Sequence, residues 1–81
     1  ADMTEEERQA MIRSMVDGLA ERLATEGGGA QDWARLIGAL GVLGDTDRAR
    51  TIWAEAQGVF ADRPEDLAAV RAAARQAGVA E

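Results

Sequence analysis

Side-chain size repeats along this chain at a fixed interval. Trp33, Leu36, Leu40 and Gly44 are followed 34 residues later by Leu67, Val70, Ala74 and Gly78. In the other direction Leu19 falls on Trp53 and Met15 on Ala49. A period between 20 and 50 residues is the mark of stacked structural repeats, because each unit must bury its apolar face on the next. Few folds satisfy that condition in 81 residues, and most of those are helical.

Local signals divide the chain into four helices. Thr4 with Glu7 three residues on forms a capping box, and Ile12, Met15, Val16, Leu19 and Leu23 then recur at spacings of three and four. Gly27, Gly28 and Gly29 end this first helix, predicted over residues 4–26. A second helix is predicted from Gln31 to Leu43, stopping at Gly44. Asp45 is the expected N-cap of a third, reaching Phe60, and Pro64 suits the first turn of a fourth that carries Leu67, Val70 and Ala74 inward and ends by Gly78. Short connections make sequential helices antiparallel neighbours. The expected fold is all-α, one domain over residues 1–81.

Between Trp33 and Ala56 the spacing resembles the tetratricopeptide repeat. Trp33, Leu36 and Leu40 form one face of a first helix and Gly44 permits the turn. Ala49 lets the paired helix approach, Trp53 fills the space between helices, and Ala56 allows contact with the next unit. Ile37 stands where that pattern prefers a small residue, and Pro64 comes three residues later than its usual place at 61. Residues 31–63 read as one complete repeat, preceded by a second-type helix and followed by a capping helix at 64–78. The resemblance implies a right-handed stack of antiparallel helical hairpins.

In such stacks the first helix of each unit lines a groove. On the second helix the face away from Trp33 carries Gln31, Ala34, Arg35, Gly38, Gly41 and Val42, which makes these six the candidate peptide-binding residues. A glycine inside a helix costs about 1 kcal/mol relative to Ala. Close approach of backbone, from either a neighbouring helix or a bound peptide, accounts for keeping Gly38 and Gly41.

Other chemistries lack their residues. The chain has no His, Cys, Tyr or Lys, which removes the commonest bases, nucleophiles and zinc ligands, so no catalytic residue, metal site or cofactor is expected. Acid pairs such as Asp45 with Asp47 and Glu65 with Asp66 fall at helix starts, where capping explains them. The turn at Gly44 is too short for a calcium loop, and the triple glycine lacks the Lys-Ser/Thr ending of a phosphate cradle. Met11 and Met15 could offer thioethers to a soft metal, but as neighbours of Ile12 and Leu19 they are expected to pack in the core or an interface. A net charge of −6 argues against nucleic acid and favours a cationic partner. No apolar run is long enough to span a membrane.

The phrase "IRSMVDGLAERL" at residues 12–23, leading into Trp33-x-x-Leu36 and the Leu43–Gly44 turn, resembles the carboxy-terminal region of the CcmI (CycH) family of c-type cytochrome biogenesis proteins. The similarity spans residues 9–62, with Gly27 where such linkers often carry Pro. It implies the periplasmic domain of a membrane-anchored protein, one that acts with other cytochrome c maturation proteins. It also implies that the domain binds the carboxy-terminal helix of apocytochrome c and presents it to the haem lyase complex. The alternative from the residues alone is an assembly domain completed by a second copy, a homodimer exchanging helices through the glycine hinge.

Overall fold

The computed structural model describes residues 3–80. Helix α1 spans Glu5–Thr25, α2 Ala30–Leu43, α3 Thr46–Val59 and α4 Pro64–Gln76. Each predicted helix is present, with ends within about two residues of expectation, the usual uncertainty of helix boundaries.

The starts and stops follow the local chemistry. The Thr4 hydroxyl oxygen accepts from the Glu7 backbone N–H at 3.1 Å, and the Glu7 carboxylate accepts from Thr4 N–H at 3.5 Å, closing the capping box. Asp45 caps α3 by accepting from the Arg48 N–H at 3.2 Å. Pro64 occupies the first turn of α4, where no intrahelical donor is needed. Gly44 ends α2 with φ 76°, and Gly78, 34 residues on, lies after α4 with φ 81°, so the period repeats in backbone conformation as well as in sequence.

Helix α2 is central: α1, α3 and α4 all pack on it, and α4 also packs on α3. The core is one cluster. Leu36, Ile37 and Leu40 of α2 are fully enclosed, as are Val16 of α1, Ala49 and Ala56 of α3, and Val70 and Ala74 of α4. Both tryptophans lie inside, Trp33 at 6 % and Trp53 at 7 % exposure. Ile37, the departure from the small-residue pattern, is a core residue. Phe60, just past α3, is buried with its ring edge-on to Trp33. These features make the architecture an all-α stack of helical hairpins of tetratricopeptide-like kind.

One expectation needs correction. Met11 and Met15 are not in the core: they are 61 % and 45 % exposed. Met15 is the position that the period matches to the enclosed Ala49. The difference has a cause in the packing, since α3 has a helix on each of two sides whereas α1 packs on α2 alone. On α4, Val70 is enclosed within this chain and Leu67 packs partly buried against the same core, the inward face expected of that helix.

Candidate functional site

Helices α1 and α3 both pack on α2 but stand apart, their Cα atoms nowhere within 8 Å of each other. The space between them is a furrow. Its apolar part is a hollow of about 520 Å³, lined by Ala20, Leu23 and Ala24 of α1, Trp33 and Leu36 of α2, and Ile52, Glu55, Gly58 and Val59 on the α3 side. Val59 is 56 % exposed, a large apolar side chain left on the lip. Hollows of 300–1,000 Å³ with apolar walls and few polar groups are the usual form of a binding site. Glu55 is the charged group in this lining.

The lining follows from helix periodicity. Positions 20 and 24, one turn apart, present the small Ala side chains that leave room, while Leu23 turns inward to the core. Ile52, Glu55 and Val59 share the facing side of α3 at spacings of three and four. Trp33 forms part of the floor, and its indole N–H is buried without a hydrogen-bond partner.

The furrow continues toward the N-termini of α1 and α3. There a second hollow, of about 550 Å³, is lined by Arg13 and Asp17 of α1, Leu43, Gly44 and Asp45 of the turn, and Arg48 of α3. In its wall the Arg48 guanidinium donates to the Asp17 carboxylate at 3.3 Å, bridging α1 to α3.

The six residues expected to form a peptide groove on α2 do not form one concavity. Gly38, Gly41 and Val42 border a smaller hollow of about 230 Å³ with Gln76 and Ala77. A Cβ on Gly41 would stand 2.9 Å from the Ala77 Cβ and 3.1 Å from its Cα, so this glycine admits the end of α4. A Cβ on Gly38 would meet nothing within 4 Å. Arg35 instead borders a hollow of about 260 Å³ shared with α1, beside Ser14, Met15, Gly18, Leu19 and Arg22. Gln31 is exposed, and Ala34 is half-buried.

The furrow itself was not singled out from sequence. Exposed Val59 one turn after Glu55, opposite the Ala20 and Ala24 pair, was the available signal. Among the described residues no three carboxylates gather closely enough to hold a metal ion, and no helix is long and apolar enough to cross a membrane.

No family model matches the chain, and no solved structure matches it. Two curated relatives do. One is a cytochrome c-type biogenesis protein CycH of Bradyrhizobium diazoefficiens, 39 % identical over 66 residues, covering 82 % of this chain and 18 % of the relative. The other is a protein of the same name from Rhizobium meliloti, 36 % identical over 78 residues, covering 96 % of this chain and 20 % of the relative. The chain spans about a fifth of the length of the relatives it matches. Over that shared segment, the chain belongs to the CycH family of cytochrome c-type biogenesis proteins.

Proposed function

We propose that this chain is a helix-binding module in c-type cytochrome maturation, a docking surface rather than an enzyme. Its ligand in this reading is apocytochrome c, held by its carboxy-terminal helix and presented to the haem lyase complex in the periplasm. Both relatives carry cytochrome c-type biogenesis in their names, which supports the pathway. The observation that carries the binding mode is the apolar furrow between α1 and α3, floored by Trp33 and Leu36. An amphipathic helix lays its apolar face into such a groove, with anchors at spacings of three and four. The acidic surface of a chain carrying −6 favours a basic ligand and raises the rate of encounter more than the final affinity.

Calorimetric titration of the 81-residue chain with a peptide of an apocytochrome c carboxy-terminal helix tests this reading. Saturable binding that Val59→Asp weakens at least about tenfold, roughly 1.4 kcal/mol, is expected. Binding that Val42→Asp abolishes and Val59→Asp leaves alone would instead place the ligand on the α2 face of Gln31, Ala34, Arg35, Gly38, Gly41 and Val42. No saturable heat at high micromolar peptide would sink the reading.

A second reading has its own observation. Met11 and Met15, one turn apart and both exposed, give α1 an apolar strip that a second copy of the chain could cover. In that case the chain is an assembly domain, and sedimentation would find a dimer.

A further inference from the structure

By the 34-residue period α1 stands to α2 as α3 stands to α4. Met15 corresponds to Ala49, Gly18 to Ile52 and Leu19 to Trp53. α3 packs on the helix before it as well as on the one after it, whereas α1 packs on α2 alone among the described residues. The contact that α1 lacks is therefore the one that closes a hairpin, with a helix on its own N-terminal side.

The flank of α1 where such a helix would lie is open and apolar. Met11, Met15, Gly18 and Arg22 follow one another at spacings of three and four and so share one strip. That strip falls on the edge away from Ala20 and Ala24, which border the furrow. Both methionines are exposed. A hollow of about 260 Å³ runs from Met15, Gly18 and Arg22 to Arg35 of α2. Gly18 is an independent sign. Glycine weakens a helix relative to alanine, yet a Cβ here would meet nothing within 4 Å, so no part of this chain needs the space. The close approach of another backbone would need it. α1 also has 21 residues against 14 in α3, and because Thr46 matches Ile12, the extra length is Glu5–Met11.

The outer face of α4 is built differently. Arg71 and Arg75 take the places that Ile37 and Gly41 hold in α2, and both are exposed. The Arg71 guanidinium lies over the Trp53 ring, 5.7 Å from its centroid. A polar outer face of this kind terminates a stack of repeats. At the equivalent edge α1 offers methionines, so the stack is closed at α4 and open at α1. The relatives are about five times as long as the segment they share with this chain, which leaves ample polypeptide for another helix.

We propose that the outer flank of α1 is the seat of a further helix of the same polypeptide, the one that comes before Thr4 in the whole protein. It runs antiparallel to α1, comes closest at Gly18 and reaches α2 at Arg35. Met15 is bulky where α3 has Ala49, so the incoming helix carries a small side chain opposite it, since two bulky ones would overpack the contact. α1 then has a helix on each of two sides, as α3 has. This inference stands on the packing of the stack and is independent of the ligand assigned to the furrow.

The test compares the 81-residue chain with the same chain extended toward its N-terminus by about 40 residues of the whole protein, enough for one helix and its turns. The extended chain should have the higher urea midpoint and the steeper transition, because more surface is buried on folding. Gly18→Ala should raise the midpoint of the short chain, where the methyl group has room, and lower that of the extended one. Met11→Gln with Met15→Gln should leave the short chain unchanged and weaken the extended one. A soluble paramagnetic agent should broaden the Met11 and Met15 methyl signals strongly in the short chain and weakly in the extended chain. Equal broadening in both, or Gly18→Ala raising both midpoints, would overturn the proposal. So would a dimer of the short chain that the double substitution dissociates, which would make a second copy the occupant. Shielding of the methionine methyls by the cytochrome helix peptide, and not by the extension, would overturn it too.

Discussion

The ring of Phe60 meets the Trp33 indole edge-on, centroids 6.2 Å apart and planes at 87°. Trp33 opens α2 and Phe60 closes α3, so this one contact pins the far end of the hairpin beneath the apolar hollow. Edge-to-face pairs add about 0.5–1.5 kcal/mol to the burial of the rings themselves. Phe60→Ala is expected to cost about 3–5 kcal/mol. A domain of this size holds only about 4–12 kcal/mol in total, so that variant should show a greatly lowered urea midpoint. Phe60→Leu should lose much less, and no loss at all in that variant would mean the ring geometry contributes nothing.

Gly41 and Gly38 stand one turn apart on α2 and should respond oppositely to the same change. Both gain up to about 1 kcal/mol of helix propensity as Ala. At Gly38 nothing opposes the new methyl group, so Gly38→Ala should raise the melting temperature. At Gly41 the methyl meets Ala77 at 2.9 Å, and α4 must shift to admit it. Gly41→Ala is therefore expected to be destabilising by about 1–3 kcal/mol, as overpacked cores are. Thermal denaturation of the two variants side by side checks the contrast.

The Arg48–Asp17 bridge should matter little to stability. Its side chains are 43 % and 70 % exposed, and exposed pairs contribute about 0.2–1 kcal/mol. Asp17→Asn should move the urea midpoint by less than the error of Phe60→Leu, and still less in high salt. A loss above about 2 kcal/mol would show that the bridge holds α1 in place.

Met11 and Met15 decide between a lone module and an assembly. For a monomer, Met11→Gln with Met15→Gln changes only surface, and stability should stay within about 0.5 kcal/mol. A dimer built on α1 would instead dissociate, which sedimentation velocity over a range of concentrations would detect.

Much of the fold could be read from residue spacing because helix ends are local. Thr4 with Glu7, Asp45, Pro64 and the glycines at 44 and 78 act within a turn of their own position, and each does what its side chain dictates. The apolar period also identified the buried faces of α2, α3 and α4 correctly, down to Trp33, Leu36, Leu40, Trp53, Val70 and Ala74. It misjudged Met15, since a period reports which face is apolar and not whether another helix lies across it. The furrow was hidden for a related reason. Its walls come from α1 and α3, 31 residues apart at the Asp17–Arg48 bridge, and no pattern within one helix shows that two such helices are held apart. Gly41 was recognised as a point of close approach, and the structure identifies the neighbour as Ala77.

α1 is joined to the remaining helices along a single seam, with one solvent-exposed guanidinium–carboxylate link across the gap and a glycine-rich turn at its base. A panel hung in this way can swing while the other three helices stay locked together. Amide exchange should then be quickest in α1, and the width of the gap becomes an adjustable dimension.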